Sequence, residues 1–316
     1  MNTTTTTAAT TRATRPIRPM TVRTTIPFFA MAFGLTWGIA AVAIVFAEQL
    51  EPYLGPLGLT NPLFFLAVYA PAFAGMGLVL RHYGFRGLRS YLRRLTLWRI
   101  PLGWATYLVI GVPAAFYLGA WVKGSPLSFP FTPWYAVAPA LLLMLALGPM
   151  EEFGWRGVAL PLLQQKFRPF FADLIISTLW ALWHLPAFFL SGTPQSQWSF
   201  PAFFVGVVSI SFILTPLFNA SGGSILVAAL YHFQMNNPIW PDAQPYDSLF
   251  FGAIAVAAVV INRTAMFSRT AGVTSVLRAG DEAALSGATA LATTEADSSR
   301  TSSAAREPLA AEALIA

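Results

Sequence analysis

The stretch LGPMEEFGWRG, Leu147 to Gly157, closes a long apolar run. Two adjacent glutamates and an arginine stand where lipid is expected. Each charge at a bilayer centre costs about 2.5–3.5 kcal/mol on insertion scales. Charges in such a place are paired, wetted or functional. The rest of the chain decides whether the run crosses a membrane at all.

Composition says that it does. Of 316 residues, 56% are hydrophobic and 10% are charged, against about 25% charged in a soluble domain. No cysteine is present, which excludes disulfides, thiolate metal sites, a cysteine nucleophile and S-lipidation. A spanning helix needs about 20 mostly apolar residues. Eight segments qualify as candidates: Ile26–Ala47, Asn61–Leu80, Ile100–Val122, Trp134–Gly157, Phe170–Leu190, Phe200–Phe218, Ser224–Trp240 and Ser248–Ile261. The eighth is short, and the fourth is expected to run on toward Lys166. The fold class expected is all-α, a polytopic membrane protein with about eight transmembrane helices around an intramembrane polar cavity.

Charge patterning supports that count. Arg12, Arg15, Arg18 and Arg23 precede the first span. Arg81, Arg86, Arg89, Arg93, Arg94 and Arg99 follow the second, Lys166 and Arg168 the fourth, and Arg263, Arg269 and Arg278 the eighth. The intervening loops carry Glu48, Glu51, Asp242, Asp247 and one basic residue, Lys123. The alternation predicts both termini on the cytoplasmic side. Residues 1–25 read as a disordered basic arm, 26–265 as the transmembrane domain and 266–316 as a disordered tail. Leu88, Tyr91, Leu92 and Leu95 recur at helical spacing among arginines, which predicts an amphipathic helix on anionic lipid serving as a topology anchor.

Few ionisable residues fall inside the predicted spans: Glu151, Glu152, Arg156, Asp173, His184 and His232. Such residues are functional candidates by default. Glu152 and Arg156 are spaced i, i+4 and face each other on a helix. Glu151 lies about 100° around the axis and is left without an obvious partner, a candidate general base. Trp180 and His184 share a helix face in WALWHLP. His232 and Asn236 share one in LYHFQMNNP, where an imidazole and a carboxamide side by side offer the donors an oxyanion hole requires. At about 1.5 Å per residue, Glu151, His184 and His232 fall at a common depth, about 14–23 Å from the cytoplasmic side. Asp173 reads instead as a helix-end residue near the boundary.

These three sites resemble the pattern of the CPBP family, the CAAX-protease and bacteriocin-processing intramembrane proteases, also called Abi or type II CAAX prenyl endopeptidase-like. Its EExxxR reads here Glu151-Glu152-Phe-Gly-Trp-Arg156. Its aromatic-xxxH reads Trp180-Ala-Leu-Trp-His184, with tryptophan where many members carry phenylalanine. Its HxxxN reads His232-Phe-Gln-Met-Asn236. The resemblance spans roughly residues 26–261. It implies an endopeptidase in which Glu151, helped by His184, activates water, His232 and Asn236 stabilise the oxyanion, and Glu152 and Arg156 support the geometry. A glutamate-type or a metallo-endopeptidase both fit it. Glu151, His184 and His232 are the candidate ligands should zinc bind, but no HExxH is present and no obligatory metal is expected. The partners implied are the lipid bilayer and a peptide or lipidated protein, with no nucleic acid. The composition, rich in Ala, Arg and Trp, looks bacterial, which implies the plasma membrane. Two rivals carry different functions. One is a catalytically idle scaffold or immunity protein of the same fold. The other is a proton-coupled transporter, whose inverted repeats are not apparent here.

Overall fold

The computed structural model describes residues 19–285. Among them every regular element is helical. Six helices are long and apolar enough to cross a membrane: α1 Val22–Val45, α2 Pro62–Thr96, α3 Leu102–Lys123, α4 Trp134–Gln164, α5 Pro169–Phe189 and α6 Phe200–Ala220. Two shorter apolar helices follow, α7 Ile225–Met235 and α8 Asp247–Ile261. All eight expected segments are therefore helical, but the last two fall short of a full span. The seventh was expected to run to Trp240 and stops at Met235, where Asn236 takes up the helix end with φ −106°.

The outer surface is apolar. Ile26, Val45, Val109, Trp121, Leu249, Val256 and Ile261 are all more than half exposed. An aqueous monomer rarely shows such a continuous apolar exterior, whereas helices in lipid satisfy their own backbone and need no polar coat. This is an integral membrane protein.

Small residues set the packing. On α1 the buried positions include Ala32, Thr36, Ala40 and Ala43, a stripe narrow enough for α2 to lie close. The Thr36 hydroxyl crosses to the Ala67 carbonyl at 2.7 Å. Gly154 on α4 meets Pro71 on α2 so tightly that a Cβ at 154 would sit 2.3 Å from the Pro71 carbonyl oxygen. α4 is thus central, held by α2 on one side and α7 on another, while α6 packs between α5 and α8. Phe28, Trp155 and Trp183 join α1, α4 and α5, with ring centroids 5.5 and 5.9 Å apart in edge-on contacts.

The arginine-rich region differs from the anchor expected. α2 continues through it, broken only at Gly84, whose φ of 64° no side chain adopts comfortably. Arg89 and Arg93 are exposed, but Tyr91 and Arg94 are buried. Arg94 donates from Nε to Gly223 O at 2.8 Å and from Nη1 to Gly157 O at 2.7 Å and Val276 O at 2.8 Å. A buried guanidinium is tolerable because helix ends and turns there offer unsatisfied carbonyls. Tyr91 donates its hydroxyl to the Phe153 carbonyl.

Residues 266–285 depart from the tail expected. Met266, Val276 and Leu277 are buried. Gln164 donates to Val273 O at 2.9 Å, Ser90 to Asp281 at 2.6 Å and Tyr83 to Glu282 at 2.6 Å. Their apolar side chains cap the end of the bundle from which the arginines project. Residues 1–18 of the expected arm and 286–316 of the expected tail lie outside the described residues, while Met20, within that arm, is buried.

Candidate active site

The helix carrying both glutamates is not regular. It runs as an α-helix over Val137–Ala146 and breaks at Leu147, with φ −87° and ψ −95°. It resumes as a 3₁₀ turn over Gly148–Glu151, takes one α turn at Glu152–Gly154, then a π turn over Trp155–Ala159. Pro149 suits the first turn of a restarted helix, where no donor is missed. Gly148 is required by what lies opposite: a Cβ there would come within 2.1 Å of Asn236 Nδ2 and 2.7 Å of His232 Nε2. π turns inside α-helices cluster at functional sites.

Glu152 faces inward and is fully buried. Its Oε1 accepts from Arg156 Nη1 at 3.2 Å and lies 2.7 Å from His232 Nδ1. Arg156 continues the chain, donating from Nη2 to Ser211 Oγ at 2.8 Å. Ser211 and Thr215 both donate to Asp173 Oδ1 at 2.7 Å. The guanidinium also lies over the Trp180 ring, 4.3 Å from its centroid. Asp173 is therefore no boundary residue. It is fully buried and anchors the far end of this relay. The sequence holds its trace, two hydroxyl residues one turn apart in the apolar α6.

Glu151 faces the other way. Its Oε2 accepts from Trp180 Nε1 at 2.7 Å and lies 3.9 Å from His184 Nε2. His184 Nδ1 sits 2.8 Å from the Trp180 carbonyl oxygen. A carbonyl only accepts, so Nδ1 carries the hydrogen, and Nε2 of the neutral ring is left as an acceptor. Trp183 and Phe203 flank the imidazole edge-on, with centroids at 4.8 and 5.1 Å. Trp180 thus supplies a donor to Glu151 that phenylalanine would lack.

Glu151, His184, His232 and Asn236 all line one cavity of ≈ 550 Å³. Asn236 is exposed into it at the end of α7. Three of the four expected residues come from broken or terminal helix: Glu151 from a 3₁₀ turn, His184 and Asn236 from helix ends. Glu152 and Arg156 lie behind them in the protein interior.

The three candidate zinc ligands do not form a metal-binding group. Among the described residues no three His, Asp or Glu side chains are grouped so as to hold a metal ion. Both rings bond through Nδ1, His232 to Glu152 and His184 to the Trp180 carbonyl, which leaves each Nε2 for another partner, but with Glu151 they are not grouped so as to hold an ion. The donor set does not fit zinc in this arrangement, and no chemical step is routed through one.

Fold and site together define a polytopic helical membrane protein with a polar cavity built on buried carboxylates and imidazoles. Residues 132–237 match the family model described as Type II CAAX prenyl endopeptidase Rce1-like. A curated relative, CAAX prenyl protease 2 of Methanococcus maripaludis, is 33% identical over 104 residues, 31% of this chain and 38% of the relative. The similarity to these CAAX proteases is confined to the segment that holds every site residue named above. The chain spans well under half of that relative's length.

Proposed function

We propose that this protein is an intramembrane endopeptidase that hydrolyses a peptide bond in a lipidated, CAAX-like or membrane-associated peptide. One observation carries the reading. Glu151 Oε2 and the free nitrogen of His184 are two acceptors, 3.9 Å apart at the cavity wall. Acceptors cannot bond each other, but a water donating one hydrogen to each, about 2.8 Å from both, fits between them.

In this reading the water oxygen attacks the scissile carbonyl and Glu151 takes the proton. The tetrahedral oxyanion forms against His232 Nε2 and Asn236 Nδ2, which both face Gly148. The C–N bond then breaks as Glu151 returns the proton to the departing amine. His232 has a stated requirement. An ionised Glu152 accepts only, so His232 donates to it from Nδ1. A second donation, from Nε2 to the oxyanion, needs a hydrogen on that nitrogen as well. Arg156, Ser211 and Asp173 hold Glu152 in that position. We assign the protein to the bacterial plasma membrane from its composition, with both termini inside from the alternation of its basic loops.

The test is cleavage by purified protein in detergent of a fluorogenic farnesylated CAAX-like peptide and a diverse peptide set. Glu151→Ala and His184→Ala run beside it, each with and without chelator. Cleavage by the wild type that both variants lose is the expected result. Cleavage that survives Glu151→Ala overturns the mechanism, and none by folded wild type turns the reading toward an idle scaffold.

A further inference from the structure

The cavity is one-sided. Its lining residues lie in the halves of the helices that adjoin the loops after α1, α3, α5 and α7. Leu59, Gln195, Trp198, Asp242 and Gln244 from those loops form its rim. The opposite end of the bundle is closed. Arg94 ties together the carbonyls of Gly157, Gly223 and Val276 there. Below the glutamates Trp155, Leu160 and Leu162 are fully buried, so no path descends past them.

Charge separates the same two faces. The closed face carries Arg81, Arg86, Arg89, Arg93, Arg99, Lys166, Arg168, Arg263, Arg269 and Arg278 against Asp281 and Glu282 among the described residues. The open face carries Glu48, Glu51, Asp242 and Asp247. Its one basic residue among them, Lys123, is neutralised by Asp242 at 2.7 Å. Short basic loops stay in the cytoplasm, so the closed face is the cytoplasmic one.

We infer that the cavity takes its substrate from the non-cytoplasmic face, and that the substrate is a translocated or externally presented peptide rather than a cytosolic lipidated chain end. The inference rests on the hydrolase reading for the word substrate, but the direction of entry is a property of the fold. The open face adds a preference: a peptide approaching from that side meets the exposed carboxylates of Glu48 and Glu51, which attract a basic segment and repel an acidic one.

The chain has no cysteine, which makes single-cysteine labelling direct. Gln197→Cys marks the open face and Thr270→Cys the closed one. Both positions are exposed and outside the site. Each full-length variant is expressed, and intact spheroplasts are treated with a membrane-impermeant maleimide before permeabilisation. Gln197→Cys is expected to label in intact spheroplasts, and Thr270→Cys only after permeabilisation. The reverse pattern, or equal labelling of both in intact spheroplasts, overturns the inference. A peptide cleaved in detergent is then offered to spheroplasts and to inverted vesicles. Cleavage confined to spheroplasts supports external entry, and cleavage confined to inverted vesicles overturns it. Labelling needs no catalysis, so absence of cleavage in detergent strikes the hydrolase reading while an inverted labelling pattern strikes the direction of entry.

Discussion

Glu151 and Glu152 are neighbours in sequence and differ in almost everything else. Glu152 is fully buried and bonded to an arginine and a histidine, with a serine, a threonine and an aspartate behind them. Glu151 reaches the cavity, holds one indole N–H and leaves a gap of 3.9 Å to the nearest imidazole nitrogen. The first arrangement is an interlocked chain of protein partners, even with Glu152 Oε2, Arg156 Nε and Asp173 Oδ2 left without one. The second has room for a reactant. An interlocked buried cluster gives rigidity and a carboxylate facing a cavity gives chemistry, and here one backbone step separates them.

Four substitutions sharpen or break that contrast. The largest effect is expected from Glu151→Gln, which keeps an acceptor for Trp180 but removes the base. Peptide cleavage falls by about 10²–10⁴-fold, with the thermal midpoint in detergent unchanged. A large loss of stability would show instead that Glu151 belongs to the structural cluster. Glu152→Ala is expected to do the opposite. It leaves Arg156 and His232 buried without their carboxylate, a situation that costs about 3–5 kcal/mol. The readout is a thermal midpoint followed by gel filtration, and a midpoint equal to wild type would refute the idea of a structural cluster.

Trp180→Phe tests the border between the two. It retains the ring beneath Arg156 and removes the donor to Glu151, a bond to a charged group of about 1.5–3 kcal/mol. Its effect is expected mainly in kcat. A change confined to KM would argue that the indole contacts substrate instead. Ser211→Ala is expected to be the smallest. It cuts the relay between Arg156 and Asp173 for about 1–3 kcal/mol, read as a lower midpoint in chemical or thermal unfolding. An unchanged midpoint would mean that Asp173 is held by Thr215 alone.

Much of this was legible in the sequence, for physical reasons. Apolar runs of membrane length and alternating basic loops announce helices whatever packs against them. Glu152 and Arg156 announce each other by i, i+4 spacing. Hidden residues are those whose partners come from distant segments. Asp173 looked like a helix end because Ser211 and Thr215 lie about 40 residues away. Arg94 looked like one more surface arginine because its acceptors are backbone carbonyls, which carry no residue signature. The segment 266–285 looked unstructured because its few apolar residues are spaced by small polar ones and need a preformed surface. The break at Leu147 and the π turn after it were also invisible, although Gly148 and Pro149 mark the spot.

The Arg94 clamp has a consequence in time. Arg94 and Val276 are separated by 182 residues of chain, so the ribosome has made all of α3 to α8 before the acceptor at Val276 exists. Until then the guanidinium has water or lipid headgroups as company, and the Gly157 carbonyl, in the π turn beside Arg156, is not yet fixed. The bundle therefore inserts first and tightens around its glutamates last. The cavity that carries Glu151 would thus pass through synthesis unfinished.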